Sequence, residues 1–285
     1  MSERVELLII DPQNDFCDLP PAWCPPDALS GRPLAPALPV SGAHADMRRL
    51  ASFIRNCAQA LDAITLTLDS HHRLDISHPT FWRRGDASAV TPFTEIRAAQ
   101  VRAGEFLPRD RDALAPSLAY LDALEARGRY TLMVWPVHCE IGSWGHNVHA
   151  AVLGACGEWE SQRLRAMQTV FKGTNPGTEH YSALEAEVPL AADPGTQLNR
   201  PLIAALDRAD RLLVAGEASS HCVKATVEHL LAHLPSGRTD KLVLLTDCMS
   251  PVSGFGAQAE AFLADARARG ATLATSTELA AQLAA

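Results

Sequence analysis

Cys222 stands where a short apolar stretch meets the start of an amphipathic helical pattern, within the segment 211–231. This arrangement predicts a thiol at a helix N-terminus, where unpaired backbone N–H groups and the positive end of the helix dipole favour thiolate over thiol. Thiolate is the nucleophilic form of cysteine, so the chemistry indicated is covalent catalysis. Taken alone, a free cysteine is more typical of a small buried side chain without reactivity.

Two further residues end apolar runs of the same kind. Asp11 ends the run 6–11, and Lys172 ends the run 168–172. In a parallel sheet such run ends gather along one carboxyl edge, where α/β proteins keep their sites. We therefore expect Asp11, Lys172 and Cys222 to lie together as a base, a cation and a nucleophile. The alternative explanation is structural: Asp11 caps the loop that it enters, and Lys172 is a solvated cation at a strand end.

A second group of residues has side chains that bind metal ions. Asp69 and His71 follow another apolar run, His78 comes soon after, and His138 follows Trp135. A carboxylate with imidazoles suits a divalent ion such as zinc, iron or manganese, in a site with positions open for substrate. An Asp-x-His pair is common by chance, so spacing alone leaves this site open. Six other histidines are expected at the surface or the edge of the core: His72, His146, His149, His180, His229 and His233.

These candidate residues need a scaffold of strands and helices. Apolar runs of strand length are mostly continuous, as expected for strands covered on both faces. Helical patterns lie between several of them, which predicts an α/β protein with a mostly parallel sheet and helices on both faces. The predicted strands are 6–11, 63–69, 130–136, 168–173, 211–217, 241–247 and 271–275, and the predicted helices are 45–61, 118–127, 220–234 and 257–269.

Two segments do not follow this alternation of strands and helices. The segment 17–40 is rich in proline, which excludes regular strands and helices and predicts a surface loop, and its position just after Asp11 makes it a candidate lid. The segment 83–129 is a charged insertion expected to contain one or two helices. Because no repeat or clean linker divides the chain, we expect one domain over 1–285.

Composition limits the classes of function. A length of 285 residues with 47% hydrophobic content is enough for a substantial core. The formal charge of −8, without a basic block, argues against nucleic acid or an anionic membrane as a partner. Seven cysteines without paired CxxC spacing fit free thiols in a reducing compartment. No signal segment and no apolar run of ~20 residues is apparent, so the expected location is the cytoplasm.

Five ordered motifs resemble those of the isochorismatase-like cysteine hydrolases. They are Ile9-Ile-Asp-Pro-Gln-Asn-Asp-Phe-Cys17, Asp69-Ser-His71, Trp135-Pro-Val-His-Cys139 with Gly142 beyond, Val170-Phe-Lys-Gly173, and Gly216-Glu-Ala-Ser-Ser-His-Cys-Val223. The resemblance extends from the first strand to beyond Asp247. It is nearest to the nicotinamidases (pyrazinamidases), which keep an Asp-His-His metal set that related isochorismatases and carbamoyl-amide hydrolases generally lack.

The resemblance implies a fold, a reaction and a role for each matching residue. It implies a three-layer α/β/α sandwich and hydrolysis of nicotinamide, or a similar small heteroaromatic amide, to its acid and ammonia through a cysteine thioester. It also implies one divalent ion, zinc or alternatively iron or manganese, that binds the ring nitrogen, and a cis peptide at Glu217–Ala218. The matching residues are Asp11, Lys172 and Cys222 as the catalytic triad; Ala218 and Cys222 as the oxyanion hole; Asp69, His71 and His138 as metal ligands, with His78 as a further ligand in some members; and Phe16 and Trp135 around the substrate ring.

Two features depart from the family pattern. The position before Ala218 is normally aliphatic, whereas here Glu217 occupies it. An acidic side chain facing the pocket unpaired would be costly, so Glu217 is expected to bind a cationic or hydrogen-bonding group of a different substrate. The insertion either reshapes the pocket mouth, builds a homo-oligomer contact or is a surface elaboration. The alternatives for function are therefore hydrolysis of another small amide or ureido compound, and a non-catalytic binding or assembly module on the same fold.

Overall fold

The computed structural model describes residues 3–284. Its centre is a six-stranded sheet in the order β10-β9-β8-β1-β2-β7, in which every neighbouring pair is parallel. All six residues of the central strand β1 are buried, which explains why five of them are apolar; the sixth, Glu6, is paired with Arg4. The strands of this sheet are β1 (Val5–Ile10), β2 (Ala63–Asp69), β7 (Gln168–Lys172), β8 (Arg211–Gly216), β9 (Leu242–Leu245) and β10 (Thr272–Ala274).

Helices cover the sheet and complete a three-layer α/β/α sandwich, as predicted. α1 packs against α4 and α8, α6 packs against α7, and both α1 and α6 contact β8. The helices are α1 (Ala43–Asn56), α2 (Ala98–Arg102), α3 (Leu114–Arg127), α4 (Ala150–Arg163), α5 (Arg200–Leu206), α6 (Cys222–His233), α7 (Gly256–Ala268) and α8 (Ser276–Leu283). Between residues 3 and 284, none of these helices is both long and apolar enough to cross a bilayer.

The insertion has its own small core, and here one strand prediction is wrong. The run 130–136 was expected in the main sheet, but β6 (Leu132–Val134) pairs antiparallel with β4 (Thr94–Ile96). A second antiparallel pair joins β3 (Trp82–Arg84) to β5 (Phe106–Pro108). The run is apolar because its side chains enter this second hydrophobic cluster, whose buried residues are Ile76, Trp82, Val90, Ile96, Ala98, Val101, Phe106, Tyr120, Leu121, Leu124, Leu132 and Val134.

The proline-rich segment 17–40 is irregular, as its composition predicts. It contains one 3-10 turn, Pro21–Trp23, and isolated bridges between Cys17 and Val40 and between Pro26 and Pro33. Leu38, near its end, is 6% exposed and packs inward. The loop thus places an apolar side chain over the carboxyl edge of the sheet.

Candidate active site

Strand register places the ends of four strands side by side. Asp69 pairs with Lys172 at the ends of β2 and β7, and Ile10 pairs with Gly216 at the ends of β1 and β8. Gly216 has a φ of +119°, and a Cβ there would lie 1.9 Å from the Ile10 carbonyl oxygen. Only glycine therefore lets the chain pass this closely before it turns into α6, which begins at Cys222.

Asp11, Lys172 and Cys222 lie together at this edge. Lys172 Nζ is 2.9 Å from Asp11 Oδ2 and donates to Cys222 Sγ at 3.5 Å. The exposed fractions of the three residues are 0%, 2% and 6%. Thr67 Oγ1 donates to Asp11 Oδ1 at 2.6 Å. Asp11 Oδ2, which contacts Lys172 Nζ, has no further donor among the described residues, and a carboxylate oxygen of Asp11 lies within 4.8 Å of the sulfur, where it can take the thiol proton.

The electrostatics assign a proton to the sulfur at rest. Burial raises the pKa of the Cys222 thiol well above its usual value, and the Lys172 ammonium offsets this only in part. The sulfur does lie at the start of α6, as predicted, and burial opposes the effect that the helix N-terminus was expected to have on its pKa. Burial also raises the pKa of Asp11, against the opposing effect of Lys172. Burial would lower the pKa of Lys172, but Asp11 and Asp69 outweigh it and raise that pKa. The site thus combines the thiol of Cys222, the basic carboxylate of Asp11 and the ammonium group of Lys172, which stays protonated.

Two backbone N–H groups beside the sulfur have no protein acceptor. Within residues 3–284, neither Ala218 N–H nor Cys222 N–H donates a hydrogen bond to the chain. The Glu217–Ala218 peptide is cis, as the resemblance implies. Free N–H groups next to a nucleophile are the donors that a developing oxyanion requires.

Four potential metal ligands lie together at this edge, and one of them, Asp69, has a carboxylate oxygen within 4.8 Å of the Cys222 sulfur. Asp69 Oδ2 is 3.1 Å from His71 Nε2 and 3.5 Å from His138 Nε2. His78 Nε2 is 3.2 Å from His138 Nδ1, and one ring nitrogen from each of the three histidines lies within 4.8 Å of the others. All four residues are at most 3% exposed.

The surroundings of these histidines fit a metal ion. His71 Nδ1 contacts Asp75 Oδ2 at 3.0 Å, His78 Nδ1 contacts the His72 carbonyl at 3.2 Å, and His138 Nδ1 contacts the Pro136 carbonyl at 2.9 Å. An imidazole that donates Nδ1–H to such an oxygen keeps the Nε2 lone pair for an ion. Without an ion, burial would lower the pKa of His71, but Asp69 and Asp75 outweigh it and raise that pKa, so the carboxylates favour a cation at this point. Buried imidazole lone pairs facing a carboxylate form a donor set suited to zinc, iron or manganese.

A cavity lies between the sulfur and this cluster. Phe16 and Trp135, both expected around a substrate ring, form part of its wall with Asp69, His138, Ala218 and Cys222. The Phe16 ring lies 5.5 Å from that of His138. Five further lining residues were not predicted from the sequence: Leu38, Glu179, Tyr181, His221 and Val252. Most of these lie in loops, whose course no periodicity predicts; only His221, next to the nucleophile, was identifiable by adjacency.

Glu217 is not brought to this cavity, which corrects the expectation that it contacts substrate. Its side chain is 0% exposed and is absent from the cavity wall. Glu217 Oε2 instead accepts a hydrogen bond from Ser250 N at 3.1 Å, on the side of α1. The chain direction after β8 explains this, because Ala218 and Cys222 turn toward the cavity while the preceding side chain points back into the sandwich.

The six other histidines are not part of the ligand cluster, but most lie deeper than expected. His72 and His233 are exposed, whereas His146, His149, His180 and His229 are buried. His180 helps to hold the site through its backbone, since its carbonyl oxygen accepts a hydrogen bond from Lys172 Nζ at 2.9 Å. The structure therefore gives Lys172 an additional fixed partner that side-chain patterns could not indicate.

The parallel sheet order and the flanking helices match the isochorismatase-like α/β fold. Solved nicotinamidase structures share it over nearly their full length. The Acinetobacter baumanii nicotinamidase/pyrazinamidase has a TM-score of 0.62 at 18% identity, covering 98% of this chain and 99% of its own. The yeast nicotinamidase Pnc1p bound to the inhibitor nicotinaldehyde has 0.60 at 16%, covering 95% and 99%. The Pyrococcus horikoshii pyrazinamidase in complex with zinc has 0.52 at 18%, also covering 95% and 99%.

The sequence itself matches no family model. It also has no significant match among curated proteins. At the identities given above, the likeness to solved structures concerns the fold, so the chemistry must be argued from the residues of this chain.

Proposed function

We propose that this protein is a metal-containing cysteine amidohydrolase that converts nicotinamide, or a close heteroaromatic carboxamide, to its acid and ammonia. One observation carries the proposal: Cys222 Sγ, Lys172 Nζ and the Asp11 carboxylate are in contact beside a cavity walled by Phe16 and Trp135. A nucleophile, a base and a cation at one buried point are what thioester chemistry requires.

The first half of the reaction forms a thioester. Asp11 accepts the thiol proton as Cys222 Sγ attacks the carboxamide carbon, and the carbonyl oxygen gains negative charge. The N–H groups of Ala218 and Cys222, which donate to no acceptor among residues 3–284, would donate to that oxygen. The Lys172 ammonium balances the charge of the carboxylate. When the tetrahedral intermediate collapses, the proton held by Asp11 passes to the nitrogen and the C–N bond breaks, releasing ammonia.

The second half restores the enzyme. Water attacks the thioester carbon and gives a proton to Asp11, and the C–S bond then breaks to release the carboxylic acid. The proton returns from Asp11 to the Cys222 sulfur. Each catalytic cycle thus consumes one amide and one water and yields one acid and one ammonia.

Asp69, His71 and His138 would hold the metal ion, with His78 as a further ligand. When bound, a divalent ion supplies a Lewis-acid site that can accept a ring nitrogen of the substrate. Zinc is our first choice because a similarly folded pyrazinamidase was solved in complex with zinc, with iron and manganese as alternatives. All seven cysteines are free, which supports the placement of the enzyme in the reducing cytoplasm.

Ammonia release tests the proposal directly. The purified protein, loaded with zinc, iron or manganese in turn, is assayed with nicotinamide, pyrazinamide and a ureido compound, with the Cys222→Ala variant as the blank. We expect turnover of at least one of the first two compounds. Turnover of the ureido compound alone would replace the substrate assignment, and no Cys222-dependent turnover of any amide would reject the hydrolase.

A further inference from the structure

Glu217 presents a chemical problem that the proposed reaction does not explain. Its carboxyl group is fully buried, and Oε2 accepts a hydrogen bond from Ser250 N at 3.1 Å. The other oxygen, Oε1, is buried and accepts no hydrogen bond from the described residues. A buried acceptor without a donor is unfavourable, and an unpaired buried charge is more so.

The neighbouring carboxyl group of Asp46, on α1, has donors for both of its oxygens. Asp46 is 3% exposed and accepts hydrogen bonds on both oxygens, from Arg49 on Oδ1 and from Ser250 Oγ on Oδ2 at 2.5 Å. Asp46 and Glu217 meet at Ser250, whose hydroxyl donates to Asp46 and whose N–H donates to Glu217, so the two buried carboxyl groups are neighbours. Two neighbouring carboxyl groups can share one proton but cannot both be ionised cheaply.

We propose that Glu217 is a protonated acid that donates through Oε1 to Asp46, and that this pair positions the turn carrying the Ala218 and Cys222 N–H groups. The proton gives Oε1 the partner that it lacks and leaves Asp46 as the carboxylate beside Arg49. Glu217 is then a positioning residue. The part of the inference that concerns turnover rests on the proposed amidohydrolase function, whereas the shared proton does not.

Ser250 connects the pair to the turn. Its N–H donates to Glu217, its hydroxyl donates to Asp46, and its carbonyl accepts from Ser219 N at 2.9 Å. Ser219 lies within the turn that carries the N–H groups, and Glu217 is bonded directly to Ala218. A change in the Glu217–Asp46 pair therefore acts on both sides of the Ala218 N–H group.

The other titratable groups around Glu217 also favour its neutral form. Burial raises the pKa of Glu217 well above its usual value, and the charges of Asp46 and, less strongly, Asp18 raise it further, against the lowering effect of the Ser250 N–H. The cation Arg49 contacts Asp46, not Glu217, and its Nε donates to the Asp247 carbonyl. The nearby thiols of Cys17 and Cys248 are neutral, since burial raises the pKa of each.

The shared proton can be tested by stability without an activity assay. Glutamine at 217 can donate to Asp46 and accept from Ser250 but cannot ionise, so Glu217→Gln is the matched variant. Above the usual glutamate pKa of about 4.3, the unfolded wild-type chain loses a proton that the folded chain keeps, so its stability falls as pH rises toward the folded pKa. We expect the unfolding constant of the wild type, relative to Glu217→Gln, to rise by up to about tenfold per pH unit over this range.

If the ratio of the wild-type unfolding constant to that of Glu217→Gln stays constant from pH 5 to 8, the proposal of a shared proton is overturned. Because the two proteins differ only at residue 217, the ratio isolates the titration of the coupled pair Glu217–Asp46. Glu6→Gln, which removes a different buried carboxyl paired with Arg4, controls for the loss of any buried acid.

The positioning role is tested by a comparison of two substitutions. Glu217→Leu leaves Ser250 N and Asp46 without their partner, and we expect kcat to fall about 10- to 100-fold with little change in KM. Glu217→Gln should retain turnover within about threefold, as expected if a neutral hydrogen-bonding group is what the turn requires. A purely structural role would lower the stability of Glu217→Leu but leave kcat unchanged, and would overturn the positioning. If wild type hydrolyses no amide, the proposed function fails while the stability ratio still decides on the proton.

Discussion

Lys172 Nζ donates to Asp69 Oδ1 at 2.8 Å, so one ammonium joins the candidate nucleophile to the candidate metal cluster. The other Asp69 oxygen faces His71 and His138. Two constellations that the sequence presents separately are thus one network, with Lys172 between the carboxylates of Asp11 and Asp69. Loss of this cation should affect folding and chemistry together.

Lys172→Met should reduce both turnover and stability. It leaves two buried carboxylates without their cation, and breaking a buried ion pair in this way costs about 3–5 kcal/mol. Turnover should fall by at least about 10³-fold, since the site loses its compensating charge. Denaturant unfolding of the metal-free protein and ammonia release measure the two effects.

The control is Lys241→Met. Lys241 is also buried and paired, with Asp207 at 2.6 Å, but it precedes β9 at the opposite edge of the sheet. Lys241→Met should therefore lower stability and leave kcat close to wild type. Equal losses of turnover in both variants would show that any buried lysine supports activity only through folding.

Cys222→Ala should abolish hydrolysis without loss of the fold. Removal of a covalent nucleophile typically costs about 10⁴-fold or more in kcat. Cys156→Ala, which removes another buried thiol from α4, is the matched control and should keep near-normal turnover. Ammonia release by Cys222→Ala at a rate near that of the control would exclude the thioester.

The acid side of the pH–rate profile should report Asp11. Burial raises the pKa of Asp11, and the carboxylate form must be present to take the thiol proton. The kcat/KM value should therefore be lost as pH falls through a pKa above the usual aspartate value of about 3.9. Asp11→Asn should lower kcat/KM at every pH, and an acid limb at or below pH 3.9 would contradict this assignment.

Metal content should depend on the histidine cluster and on its outer carboxylate. His71→Ala removes a ligand and should abolish stoichiometric metal binding, measured by elemental analysis after dialysis. Asp75→Asn keeps the ligand but weakens the acceptor of His71 Nδ1, and should reduce metal affinity about 10- to 100-fold. The exposed His233→Ala variant is the control. Unchanged metal content in His71→Ala would place the ion elsewhere.

The sequence predicts well the residues that are fixed by strand ends. Asp69 and Lys172 end the parallel strands β2 and β7, and Asp11 follows β1, so alignment of the sheet alone brings them to one edge. It predicts poorly the side chains whose direction depends on a turn, as the inward orientation of Glu217 demonstrates. Helix α4 was missed because its apolar residues are spread around the helix, and Tyr181 was missed because it follows β7 in an irregular loop.

The insertion 83–129 supports the cavity wall. The sequence alone did not decide among the possible roles of this segment. β6 leads directly into Trp135, whose backbone N–H donates to the Ser77 carbonyl at 2.7 Å. The ring of Phe93, just before β4, meets the Trp135 ring edge-on at 5.9 Å although Phe93 is 56% exposed. Such an aromatic pair contributes about 0.5–1.5 kcal/mol beyond its buried area, so it helps to fix Trp135 against a substrate ring.

Phe93→Ala should therefore raise the KM for the amide by about 2- to 10-fold and leave kcat within about twofold of wild type. The contact with Phe93 orients the Trp135 ring and does not touch the Cys222 sulfur. Substrate binding should therefore change more than the rate of the chemical step. Leu164→Ala, which truncates an 89% exposed side chain at the end of α4, is the control and should alter neither constant. A KM for Phe93→Ala equal to that of the control would show that the Phe93 ring does not orient Trp135.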